Sequence, residues 1–113
     1  FVAGEFPDVK MIIGHFGTQG EMLTGEALLV AERHPNVYLE TSFAMGHMII
    51  EAAHSIGPER MLFGSNPPPL EPPQQLMMVT ESLTLDPPVG MGLSIEKTRE
   101  VLGENLARLL GIA

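Results

Sequence analysis

Three times along this chain a short apolar run is opened by a turn and closed by a small or polar residue. KMIIG (Lys10 to Gly14) follows Pro7-Asp8, VYLE (Val37 to Glu40) follows His34-Pro35-Asn36, and MLFG (Met61 to Gly64) follows Gly57-Pro58-Glu59-Arg60. Each run is too short for a helix and does not alternate apolar with polar, as expected of strands buried on both faces. The strand starts, at Lys10, Asn36 and Arg60, are about one βα unit apart.

The intervening segments read as helices. From Thr24 to Arg33, Thr24 can cap the amino end, Glu26 suits the positive pole, and Ala27, Leu28, Val30 and Ala31 form an apolar face before Pro35 ends it. From His47 to Ser55 a second, largely apolar helix stops at Gly57. Strand, helix, strand repeated without tight hairpins predicts parallel pairing through right-handed crossovers, hence an α/β fold. Beyond the third run the prolines of NPPPLEPPQQ (Asn66 to Gln75) interrupt regular structure, a helix spans about Gln74 to Ser82, and DPPVGMG (Asp86 to Gly92) breaks it. Ser94 can cap a closing helix in which Ile95, Leu102, Leu106 and Leu109 recur near helical spacing and Gly103 weakens the middle. The opening FVAGEFPDVK reads as the end of a helix entering a strand, which suggests further chain upstream.

At 113 residues the whole chain, 1–113, fits one α/β domain, and its 44% hydrophobic but only 5% aromatic content suits an aliphatic interior. Fourteen acidic against six basic residues give a net charge of -8, which argues against nucleic-acid and anionic-membrane partners. No apolar run approaches the roughly 18 to 20 residues of a membrane span, and no basic-then-apolar leader is visible. A chain without cysteine has neither disulfides nor thiolate zinc sites, fits a cytoplasmic setting, and would hold any metal through His, carboxylate or water.

In parallel α/β folds ligands bind at the carboxyl ends of the strands. Those ends are Gly14-His15-Phe16-Gly17, Glu40-Thr41-Ser42 and Gly64-Ser65-Asn66. Two readings stand for His15: an imidazole bonded to backbone, or one turned into a cavity by a tight turn between Gly14 and Gly17. Glu40, Thr41 and Ser42 either meet substrate or are a polar strand end facing solvent. The glycines of GHFGTQG, at 14, 17 and 20, fit neither phosphate-loop pattern. His34 at a helix end, and His47 and His54 on one helix, have spacings that suit packing or surface roles.

PDVKMIIGHFG, PNVYLETS, ERMLFGSNPP and VLGENLARLLGI, in this order, resemble the amidohydrolase-related (amidohydrolase 2 type) family of metal-dependent hydrolases and decarboxylases, and the likeness runs the whole chain. The resemblance implies a partial (β/α)8 barrel: about three parallel βα units equivalent to strands six to eight, plus a C-terminal helix. It implies that His15 is a general acid/base, that Asn66 stands where the family has a metal-binding or proton-accepting aspartate, and that Phe16, Thr41, Ser42 and Ser65 border a small-molecule substrate, a carboxylate or a lactone- or amide-like compound. The implied cofactor is a divalent metal, zinc, with Asn66 as a weakened ligand.

Two departures bear on activity. Asn66 is an amide and cannot act as a base near neutral pH, although its oxygen can ligate a hard cation. No His-x-His pair occurs among His15, His34, His47 and His54. A full barrel needs about 250 residues, so three eighths is roughly 94, most of this chain. The expectation is therefore a weak or inactive chain completed by a missing N-terminal barrel half or by self-association into a homo-oligomer. The remaining alternative is a metal-free, doubly wound α/β domain that binds a small ligand.

Overall fold

The structure, a computed structural model, describes residues 2–17 and 21–112; Gly20 of the glycine series lies outside them. Helix α1 (Val2–Glu5) leads into β1 (Met11–Ile13), α2 (Glu21–Arg33) returns to β2 (Val37–Glu40), and α3 (Gly46–Ser55) returns to β3 (Met61–Leu62). Helix α4 (Pro72–Thr84), helix α5 (Ile95–Arg99), a wide π turn (Glu100–Glu104) and helix α6 (Asn105–Leu110) follow.

The strands form a parallel sheet in chain order, β1-β2-β3, with Met11 opposite Val37 and Leu39 opposite Met61. Right-handed crossovers between neighbours carry α2 and α3 to the same face of such a sheet. There α2 packs on α3 and α3 on α4. A doubly wound sheet reverses its strand order at a switch point, and this order has no reversal. The winding is that of a barrel segment.

Val37, Leu39 and Met61 are fully buried with Ala27, Ala31, Ile49 and Ala52 of the helices. The alternate positions Ile12, Tyr38, Glu40 and Leu62 point to the other face. Burial on both faces, expected of every run, fails at β1: among the described residues it pairs with β2 alone, and Ile12 is 47% exposed. The second run is a strand at its expected bounds, while the first and third are shorter than expected, because Lys10 and Gly14 have left the first strand and Phe63 and Gly64 the third.

Helix boundaries moved for identifiable reasons. Thr24 lies inside α2 and does not cap it. Helix α4 begins on Pro72 and Pro73, where a missing N–H costs nothing because the first turn has no partner for it. A capping box supports that start, with Glu71 N–H donating to Gln74 Oε1 at 3.3 Å. Ser94 caps α5 as expected, its Oγ accepting the Lys97 N–H at 3.2 Å. The closing helix, however, buries Thr98, Val101 and Asn105, while Ile95 is exposed. In an unbroken α-helix Asn105 N–H would bond Val101. Here it bonds the Glu100 carbonyl, and the Val101 carbonyl accepts the Phe63 N–H at 3.0 Å, tying the helix to the end of β3.

Three side chains lock the amino ends of the strands. Asn36 Nδ2 donates to the carbonyls of Ala3, Phe6 and Val9. Arg60 bonds the carbonyls of Ala31, His34 and Val37, tying the end of α2 to β2, and Asn105 Nδ2 bonds those of Pro58 and Met61. In barrels this end serves stability and leaves the opposite rim for chemistry.

Candidate functional site

At the carboxyl rim the chain leaves β1 through a tight turn in which His15 (φ 54°) and Phe16 (φ 51°) both take left-handed backbone, uncommon for bulky residues. The turn sends the two side chains apart. Phe16 is 1% exposed and packs in the core, where it also lines a cavity with Thr24, Leu28 and Met48. The His15 side chain stays at the rim, 46% exposed.

Glu40, the last residue of β2, organises the rim. Its Oε2 accepts the His15 backbone N–H at 3.0 Å and the Ser42 hydroxyl at 2.6 Å, and its Oε1 accepts the Ser42 backbone N–H at 2.6 Å. His15 Nδ1 lies 2.6 Å from Ser42 Oγ and 3.8 Å from Glu40 Oε2. A carboxylate only accepts, so the single Ser42 proton goes to Glu40 and Ser42 Oγ must accept from His15. The neutral ring is thereby held with Nδ1 protonated and the Nε2 lone pair left for a reacting partner. Phe43 packs edge-on against the imidazole, centroids 5.2 Å apart.

The solvent-facing reading of this strand end does not hold for Thr41 and Ser42, which are buried. Thr41 Oγ1 accepts the Gly64 N–H at 3.3 Å, joining the ends of β2 and β3. The Ser42 and Thr41 hydroxyl oxygens both make hydrogen bonds within the protein. Ser65 and Asn66 are half-buried after β3, and Asn66 has φ 61°. Parallel pairing puts them at the same end of the sheet as His15. No hydrogen bond or ion pair joins Asn66 to His15 among the described residues.

Glu40, read from sequence as either a substrate contact or a solvent-facing strand end, is instead the acceptor that orders the rim. One contributor, Gln75, was not singled out from sequence, which carries no signal for it. It is buried on α4, and its amide donates to the carbonyls of Thr41 (2.7 Å) and Ala44 (3.3 Å), the two ends of the turn that carries Ser42 and Phe43.

The sequence pattern of the amidohydrolase family matches residues 2–112. The chain belongs to the amidohydrolase family. No curated protein matches it significantly. Among solved structures, 99% of the chain superposes on 5-carboxyvanillate decarboxylase LigW from Sphingomonas paucimobilis, with TM-score 0.66 and 16% identity. That likeness shows the fold, part of a TIM barrel, and the chain spans 36% of that protein's length.

Amidohydrolases of this type are generally metal-dependent enzymes acting on small molecules. The donor set here does not fit a complete metal site. No group of three or more His, Asp or Glu able to hold an ion occurs among the described residues. Glu40 Oε2 accepts two hydrogen bonds and Oε1 one, and His15 Nδ1 is paired, which leaves at the described rim His15 Nε2, the neutral amide oxygen of Asn66 and one lone pair of Glu40 Oε1. That set, with no cluster of three such side chains, falls short of the three protein ligands that a catalytic zinc takes beside water. Among the described residues no helix is long and apolar enough to cross a membrane.

Proposed function

We propose that this chain is the C-terminal barrel segment of an amidohydrolase-family hydrolase or decarboxylase acting on a small organic carboxylate or a lactone- or amide-like compound, with His15 as its general acid/base. One observation carries this reading: the Glu40–Ser42–His15 chain of hydrogen bonds, which leaves Nε2 as the exchangeable position. A base fixed in orientation and tautomer by a buried hydroxyl and a carboxylate is suited to moving one proton to or from a bound substrate. Ser65 and Asn66, on the neighbouring strand end, would orient that substrate by hydrogen bonding. The decarboxylase likeness favours an aromatic carboxylate as the first probe.

The open edge of β1, with Val9 and Ile12 about half exposed, would be covered by further barrel strands or by a second copy of the chain. The incomplete metal donor set favours a second reading, in which the isolated chain is a non-catalytic, self-associating partial barrel. Adding benzoate while following the histidine ring resonances separates the two. Binding at the rim shifts the His15 signals and leaves those of His34 and His54 in place, and the response disappears in His15→Asn. Unchanged His15 signals at saturating ligand would support the second reading.

A further inference from the structure

The Thr41–Ala44 turn carries two side chains that touch the His15 ring, Ser42 and Phe43. The Ala44 N–H bonds the Thr41 carbonyl at 2.9 Å, closing the turn, and Phe43 sits at its third position with φ 61°. That position belongs by preference to glycine or asparagine, and a phenylalanine there is held only where its surroundings over-determine the geometry. Something outside the turn must supply the constraint.

Gln75 reaches the turn from outside it. It is 3% exposed, enters from α4, and its amide donates to the carbonyls at both ends of the same turn. Of its buried neighbours on α4, Val79 and Leu83 are apolar and Ser82 bonds the Met78 carbonyl of its own helix, so an apolar residue would fill the position equally well by volume. An amide there makes physical sense as a clamp.

We infer that Gln75 is a positioning residue for His15: by clamping both ends of the Thr41–Ala44 turn it holds Phe43 in its left-handed conformation and keeps Ser42 and Phe43 against the imidazole. The inference rests on the acid/base reading of His15, but the clamp itself is tested independently of it. Long-range proton–nitrogen NMR of the full chain at alkaline pH reads the His15 tautomer, and the shift of its ring protons reads the Phe43 edge contact.

Expected in Gln75→Met are loss of the Nδ1–H signature and collapse of the Phe43-induced shift. Val79→Ala, a packing lesion on the same face without the hydrogen bonds, should retain both. A folded Gln75→Met that keeps both signals, or a Val79→Ala that also loses them, overturns the proposal. The second measurement is a mutant cycle with Phe43→Gly, because glycine accepts positive φ without restraint. Phe43→Gly should restore most of the unfolding midpoint lost in Gln75→Met, or refold that variant if it is unfolded. Strictly additive losses, or a double variant that stays unfolded, overturn it. A wild-type imidazole protonated on Nε2 would sink the acid/base reading alone and leave the coupling of residues 43 and 75 to decide the clamp.

Discussion

The Glu40 carboxylate occupies the space that a side chain on Gly64 would need: a Cβ at that position would overlap Glu40 Oε1. Two neighbouring parallel strands thus share one volume, given up by a glycine on β3's exit and filled by the group that orders the rim. MLFG ends in glycine for this reason.

Gly64→Ala should lower unfolding free energy by about 1–3 kcal/mol through overpacking. Gly103→Ala, in the closing helix with open space around the added methyl, should be neutral or stabilising by up to about 1 kcal/mol. Urea titrations of the two variants measure the contrast, and equal losses would contradict the shared-volume explanation.

Glu40→Gln keeps the shape but supplies one acceptor oxygen where Ser42 N–H, Ser42 O–H and His15 N–H all donate. At least one donor loses its partner, so stability should fall by about 1–3 kcal/mol. Chemical denaturation gives the value; an unchanged midpoint would mean the carboxylate is not anchored as described.

At the opposite end of the strands, Asn36→Ala removes a donor group shared by three carbonyls. A loss of about 1–3 kcal/mol is expected, with the His15 ring signals unmoved because the clamp lies at the amino ends. Coupled denaturation and NMR measurements check both halves of that statement.

The purified chain should hold well under one zinc per protomer, because no group of three His, Asp or Glu able to hold an ion occurs among the described residues. Elemental analysis after dialysis gives the ratio, and stoichiometric zinc would contradict this reading of the donor set. Light scattering at low concentration should find species larger than 12.2 kDa, because β1 leaves a strand edge and apolar residues uncovered. A purely monomeric solution would count against it.

The parallel order was legible because three apolar runs and their βα spacing leave few topologies, and sequence also located the rim residues His15, Ser42, Ser65 and Asn66. What it could not show was orientation. Phe16 follows His15 directly, yet two successive positive φ angles send one ring to the core and the other to the rim. Thr41 and Ser42 read as polar and hence available, but their hydroxyls are spent inside the fold. Gln75 acts across more than thirty residues, a distance at which composition and periodicity carry no signal. The prolines that seemed to exclude a helix at 72–73 instead begin one, because position within the helix decides their cost.

The most direct test is the protonation site of the neutral His15 ring, read by long-range proton–nitrogen NMR in the wild-type chain and in Ser42→Ala. The expected result is hydrogen on Nδ1 in the wild type, and loss of that preference when the serine hydroxyl is removed. A wild-type ring protonated on Nε2, or a ring indifferent to Ser42→Ala, would contradict the Glu40–Ser42–His15 connection on which the functional reading stands.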